Sequence, residues 1–113
     1  MRDHTSERAA YTERFERRIK EALRDFRDIE LEQMGRGEVE ARARLVAWKG
    51  SIHEKRVAAQ ERPSEARHAS AAAWSEARAG VEAAWVELRD AVARARIELL
   101  GDGRRDDEDR RTA

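Results

Sequence analysis

The chain has 113 residues, of which 42% are charged and 5% aromatic, and its 24 basic and 24 acidic side chains cancel. This composition argues against a core rich in large apolar residues and leaves disorder or long helices with narrow apolar stripes. Zero net charge argues against nucleic-acid binding, which needs surplus positive charge, and the absence of cysteine excludes disulfides and thiolate metal sites.

The first five residues are polar and carry no apolar stretch of the kind found in signal peptides, so they are predicted to form a disordered N-terminus. No uninterrupted apolar segment has the length that a bilayer requires. A cysteine-free chain suits a reducing cytoplasm, so we expect a cytoplasmic protein. Arginine and alanine, whose codons are GC-rich, are abundant and indicate a bacterial source.

The first predicted helix covers about residues 6–61. Large apolar residues recur there every eleven positions, as in Phe15 and Phe26 or in Met34 and Leu45, and this spacing keeps them on one face of a nearly straight helix. Gly35 and Gly37 could end the helix and create a three-helix chain, because each glycine weakens a helix. The eleven-residue phase is preserved across both glycines, which favours one continuous helix.

The second predicted helix covers about residues 64–100, after a turn at Pro63. Proline suits the first turn of a helix and disfavours helix before it. The segment that starts at Ala72 is repeated eleven positions later, from Ala83. Gly101 is predicted to end this helix, and residues 101–113 are predicted to form a disordered charged tail.

These elements predict an all-α protein with a single domain over residues 6–100. The expected fold is a long antiparallel helical hairpin, similar to a coiled coil. A lone hairpin of this composition is marginally stable, so we expect a homo-oligomer, most simply a dimer that forms a four-helix bundle. The predicted hairpin and oligomer core consists of Phe15, Ile19, Phe26, Ile29, Leu45, Trp48, Ile52, Trp74, Val81, Trp85, Leu88, Val92 and Leu99.

The sequence contains no recognisable nucleophile elbow, phosphate loop or catalytic triad, so we expect neither an enzyme nor a bound cofactor. One metal-binding alternative stays open. Glu65 and His68 have the Glu-x-x-His spacing of ferritin-like helical bundles, and His53 lies across the predicted turn from them. Such sites need further inward carboxylates, so a solvated polar face is the simpler interpretation; His4, near the terminus, is assigned no role.

A second alternative is a helical protein that associates with lipid surfaces, since surface-lying helices also use eleven-residue amphipathic repeats. Those helices usually have wider apolar faces and basic flanks. The apolar stripe of this chain is narrow and its flanks are neutral, which argues against a membrane-surface role. The three tryptophans are accordingly interpreted as packing residues rather than as ligand platforms or membrane anchors.

The stretch from Ser70 to Leu88 resembles the C-terminal segment of small bacterial coiled-coil stress-response proteins, which reads Ser-x-x-Ala-Trp-x-x-Leu-x-x-Gly-Val-Glu-x-Ala-Trp-x-Glu-Leu. The likeness spans about residues 11–99, with Ala77 at a position where the family usually has leucine. The resemblance implies a cytoplasmic helical protein linked to stress, and it carries over no catalytic residues. The expected function is a self-associating scaffold or protective protein, with an unknown protein partner also possible.

Overall fold

The structure, a computed structural model, describes residues 4–35 and 39–101. These residues form three α-helices: α1 (His4–Met34), α2 (Val39–Arg67) and α3 (Trp74–Leu100). At 1.5 Å per residue each helix is about 40–46 Å long. The described residues contain no strand, and the all-α prediction is confirmed.

The first two helices run antiparallel. Lys49 near the start of α2 pairs with Glu30 near the end of α1 at 2.9 Å. Arg67 at the end of α2 pairs with Glu16 in the first half of α1 at 3.0 Å. The chain therefore reverses direction between Met34 and Val39.

The third helix runs antiparallel to α2 and parallel to α1. Trp48 of α2 donates from Nε1 to Glu98 near the end of α3 at 2.8 Å. Tyr11 of α1 donates from its hydroxyl to Glu82 in the first half of α3, also at 2.8 Å. The three helices thus form an up-down-up bundle.

The prediction of one continuous helix over residues 6–61 is wrong. α1 ends at Met34, where the amide of Gly35 still donates to the carbonyl of Leu31 at 3.3 Å, and α2 begins at Val39. A continuous helix would extend half of its apolar stripe beyond α3. Reversal of the chain instead brings Phe26 and Leu45, one from each half of the stripe, into the same buried cluster, and this burial offsets the helix lost at Gly35.

The predicted turn at Pro63 is also wrong, because α2 continues through it to Arg67. Proline inside a helix cannot donate a hydrogen bond to the carbonyl four residues earlier, here that of Ala59. The ring of Pro63 is fully buried and occupies a core position of α2 between Ala59 and Ala66. Burial in the bundle offsets the missing hydrogen bond, and the chain turns between residues 68 and 73 instead.

The ends of the domain agree in part with the prediction. α3 ends at Gly101, as predicted, and the amide of Gly101 donates to the carbonyl of Ile97 at 2.9 Å. α1 already includes residues 4 and 5, which the sequence assigned to a disordered N-terminus. Residues 1–3, residues 36–38 and residues 102–113 of the predicted tail lie outside the described residues.

The bundle core contains most of the predicted core residues. The buried ones are Phe15, Ile19, Phe26, Ile29, Leu45, Ile52, Val81, Leu88, Val92 and Leu99. Trp48, Trp74 and Trp85 are half-buried at its edge, whereas Met34, which shares the eleven-residue spacing, is 60% exposed. Alanines such as Ala59 and Ala66, together with Thr12, fill positions that the periodicity of large residues did not indicate.

Leu88 is expected to be one of the most sensitive core positions, since it is fully buried in the cluster that joins all three helices. Leu88→Ala should lower the free energy of unfolding by about 2–5 kcal/mol, through lost burial and the cavity left behind. Urea denaturation measures this change. Val86→Ala, at a neighbouring position that is 37% exposed, is the control and should change stability by about 1 kcal/mol or less.

Gly80 within α3 and Gly101 directly after its end are expected to respond oppositely to replacement by alanine. A Cβ at Gly80 would meet its nearest neighbour, Cδ of Arg62, at an ordinary 3.9 Å, so Gly80→Ala should stabilise the helix by about 0.5–1 kcal/mol. Gly101 has φ of +80°, so Gly101→Ala should destabilise the fold by about 1–3 kcal/mol. Thermal unfolding of both variants compares the two effects, and equal shifts would contradict the backbone argument.

Candidate interaction surface

One end of the bundle is closed by an aromatic cluster of Tyr11, Phe15 and Trp74. The ring centroids of Tyr11 and Phe15 are 5.0 Å apart, and those of Tyr11 and Trp74 are 5.5 Å apart in an edge-to-face arrangement. The guanidinium of Arg8 lies 4.8 Å from the centroid of Trp74, and that of Arg78 lies 5.6 Å from the centroid of Tyr11. Aromatic and cation–π contacts therefore join the start of α1 to the start of α3.

The hydroxyl of Tyr11 extends this cluster to the carboxylate of Glu82. Partial burial raises the pKa of Tyr11 to about 12, and the hydrogen bond and negative charge of Glu82 act in the same direction. The positive charges of Arg78 and Arg14 act in the opposite direction and are outweighed. Tyr11 is consequently a neutral hydrogen-bond donor at physiological pH.

Thr12 and Arg67 connect the same end of the bundle to α2. The Nε of Arg67 donates to Oγ1 of the fully buried Thr12 at 2.8 Å, and that hydroxyl donates to the carbonyl of Ala9 at 3.1 Å. Arg8 also donates to the carbonyl of Ala69 in the connection between α2 and α3. These polar groups bond to one another inside the chain, so we assign this end a structural role.

The candidate metal ligands do not converge. Glu65 pairs with Arg62 on the same helix at 3.4 Å, and His68 follows the end of α2, with its amide bonded to the carbonyl of Glu65. His53 lies on the same helix, about 18–22 Å away along the axis, because α2 continues through Pro63. All three candidate side chains are exposed, and the described residues contain no group of three or more His, Asp or Glu that could hold a metal ion.

A groove of about 640 Å³ separates α1 from α2 on the side away from α3. Apolar side chains form its floor and cationic side chains flank it. Leu31 and Met34, which are 58% and 60% exposed, lie along the α1 edge. Lys49, His53 and Arg56 line the α2 edge. The groove is an open, partly apolar surface rather than an enclosed ligand pocket.

Two buried polar atoms, one on α1 and one on α2, lack hydrogen-bond partners within the described residues. They are Oε1 of Gln33, a residue only 4% exposed, and Nε of Arg56. Arg56 uses a terminal guanidinium nitrogen to bond Nδ1 of His53 at 2.8 Å. Unsatisfied buried polar atoms are rare in folded proteins. In this respect these two positions differ from the internally bonded end that contains Tyr11.

Exposed large apolar side chains occur on all three helices, and two of them, Leu31 and Met34, line the groove between α1 and α2. Within the described part of the chain they are Leu31, Met34, Val39, Val46 and Val57 on α1 and α2, and Val86 and Ile97 on α3. The sequence prediction missed this group because it followed only the stripe that packs into the core. The exposed valines of α2 could have been predicted from a second apolar periodicity in that helix, which is displaced from the core stripe. The α1–α2 side of the bundle is therefore the candidate interaction surface.

Tyr11 should titrate far above the usual tyrosine pKa near 10, and it can be observed alone because the chain contains one tyrosine. Absorbance of the phenolate during alkaline titration should show a midpoint near 12. Because folding raises this pKa, the stabilisation from the Tyr11 hydroxyl is fully present below about pH 10 and is lost as the pH rises towards 12.

The matched variant is Glu82→Gln, which removes the negative charge beside Tyr11 and should move the midpoint down towards 10. Tyr11→Phe should abolish the alkaline absorbance change while leaving the tryptophan spectrum in place. A wild-type midpoint at 10 would contradict the burial of the Tyr11 hydroxyl together with its hydrogen bond to Glu82.

Comparisons with known proteins give no relative for this chain. No protein-family model matches it, and neither a curated protein nor a solved structure matches it. None of the three described helices is long and apolar enough to cross a membrane.

Proposed function

We propose that this protein acts without catalysis, as a helical scaffold or protective protein that self-associates, with a dimer as its basic unit. The observation that carries the proposal is that large apolar side chains are exposed along the α1–α2 groove and on the outer side of α2. Monomeric proteins seldom expose contiguous apolar surface beyond a few hundred Å², and larger patches are usually interaction sites. Leu31, Met34 and Val46, each more than half exposed, are the strongest members of this surface.

The dimer that we propose differs from the four-helix bundle expected from the sequence. α1 and α2 already pack against each other and against α3, so each chain supplies a complete three-helix core. Association then joins two finished bundles through their outer surfaces, and the assembly has six helices. In this arrangement the dimer is not required to complete the core.

A stress-related role in the cytoplasm is the physiological part of the proposal. It is supported by the resemblance of residues 70–88 to a segment of bacterial coiled-coil stress-response proteins and by the cysteine-free composition. Those residues include Trp74, Val81 and Leu88, which contact the other two helices of the bundle. In this chain the resemblance therefore concerns residues that maintain the fold.

Sedimentation equilibrium of the full chain tests self-association directly. From micromolar to millimolar concentrations the mass should rise from that of the 13.0 kDa chain towards twice that value. High salt should not abolish the association, because burial of apolar surface is insensitive to charge screening. A mass of 13.0 kDa at every concentration would overturn the proposal.

A further inference from the structure

A second heptad stripe runs along the outside of α2 and is separate from the stripe that packs into the core. Its members alternate in spacing by four and three residues, which is the spacing of the a and d positions of a coiled coil. All of them are exposed, and none carries a permanent charge. This outer stripe consists of Val39, Ala43, Val46, Gly50, His53, Val57, Gln60 and Ser64.

The outer stripe faces away from the centre of the bundle. It lies about 135° around the helix axis from the core positions of α2, such as Leu45 and Ile52. No helix of the same chain covers it, since α1 and α3 pack on the core side. His53 also lines the groove between α1 and α2, so Leu31 and Met34 adjoin the outer stripe.

Gly50, at the middle of this stripe, has no evident role inside the chain. Glycine is among the poorest helix formers, and a Cβ at this position would meet nothing within 4 Å. Neither a turn nor a close contact within the bundle therefore requires glycine there. A glycine on the exposed side of a helix allows a second helix to approach closely.

The charges beside the outer stripe are sorted by sign. In the outer stripe Ala43, Gly50 and Val57 are a positions, and the residue before each of them is basic: Arg42, Lys49 and Arg56. Val39, His53 and Gln60 are d positions, and the residue after each of them is acidic: Glu40, Glu54 and Glu61. The two sides of the stripe are called its basic edge and its acidic edge. Within the described residues, none of the three glutamates has an ion-pair partner. Lys49 pairs with Glu30 through one of its three donors.

We propose that α2 binds α2 of a second copy in parallel through the outer stripe. In a parallel pair the basic edge of each helix lies against the acidic edge of the other, so that Lys49 faces Glu54 and Arg56 faces Glu61 of the second copy. In an antiparallel pair basic edge would meet basic edge and acidic edge would meet acidic edge. The distribution of charge on α2 is therefore complementary to α2 of a second copy, and it favours the parallel orientation over the antiparallel one.

This inference rests on the proposed self-association and adds the surface and direction through which it occurs. Each layer of the stripe meets its own equivalent, so Val46 packs on Val46 and Gly50 on Gly50 across a twofold axis parallel to the helices. The valine layers exclude water, and the glycine layer brings the helix backbones together. Glu54 and Glu61, which have no ion-pair partner within the described residues, each acquire one in the dimer.

The first experiment compares two double variants by sedimentation equilibrium of the full chain. Val46→Glu with Val57→Glu places charge within the outer stripe and should raise the dimer dissociation constant at least about 100-fold. The control, Val86→Glu with Ile97→Glu, changes exposed valine and isoleucine residues on α3 and should leave dimerisation unchanged. Circular dichroism confirms that both variants remain folded, as their exposed positions predict.

The outcomes separate the two proposals. A wild-type chain that is always monomeric overturns the self-association itself. A wild-type dimer that survives the α2 changes but dissociates with the α3 changes overturns only the outer-stripe interface. Loss of dimer with the α2 changes alone supports the inference.

The second experiment tests the pairing of charges by exchange. Glu54→Lys with Glu61→Lys makes both edges basic, and Lys49→Glu with Arg56→Glu makes both edges acidic. Each double variant should dimerise at least about tenfold more weakly than the wild type, and their mixture should form a heterodimer. A mixture in which neither variant binds the other would contradict the parallel arrangement of the edges.

The third experiment fixes the orientation by disulfide formation, which the absence of native cysteine makes simple. In a parallel pair Ser64→Cys places the two introduced thiols in one layer at the same end, so mild oxidation should link the two chains. In an antiparallel pair residue 64 would lie opposite residue 39. A Ser64→Cys chain that crosslinks only to a Val39→Cys chain would therefore overturn the proposed direction.

Discussion

Close packing of helices across small side chains is the constraint on which the rest of this structure depends. Seven of the 17 buried apolar residues are alanines, and an alanine allows neighbouring helices to approach closely. This closeness compensates for a scarcity of large apolar residues, because buried leucines and isoleucines of all three helices then share one cluster. Only 5% of the residues are aromatic and the apolar stripes are narrow. Two helices alone would therefore leave much of their apolar surface exposed to solvent, and the third helix covers it.

The two ends of the bundle are built differently. Around Tyr11 and Trp74, ring contacts and charged hydrogen bonds satisfy nearly every polar group that faces the interior. At the opposite end, Gln33 has a buried oxygen without a partner within the described residues, and Met34 is largely exposed. The internally bonded polar groups and the buried polar atom without a partner thus lie at opposite ends of the bundle.

Periodicity in the sequence predicted the fold class and most of the core, because each helix that packs on others must repeat apolar residues at helical spacing. Predictions from the sequence failed where the local helix propensity of the residues and their tertiary packing favour different structures. Pro63 disfavours helix locally, yet its burial keeps α2 continuous. Gly35 was interpreted as part of a weak but continuous helix, although α1 ends at Met34 and α2 packs back against α1.

The candidate site was harder to predict from the sequence for a related reason. Periodicity shows which residues share a face, but not which of two faces meets the rest of the chain. The outer stripe of α2 contains alanine, glycine and serine, so it stands out less than the core stripe with Leu45 and Ile52. The metal hypothesis depended on a turn at Pro63, and the helix that replaces this turn separates His53 from Glu65.

The distance along the chain between Tyr11 and its partner Glu82 has a consequence for synthesis of the protein. These residues are 71 positions apart, so the start of α1 leaves the ribosome long before the helix that completes its packing. Until α3 emerges, α1 and α2 can form only a two-helix intermediate in which Phe15 and Ile19 are incompletely covered. During translation, the nascent chain is therefore most exposed to aggregation and to chaperones in the interval before its last helix is complete.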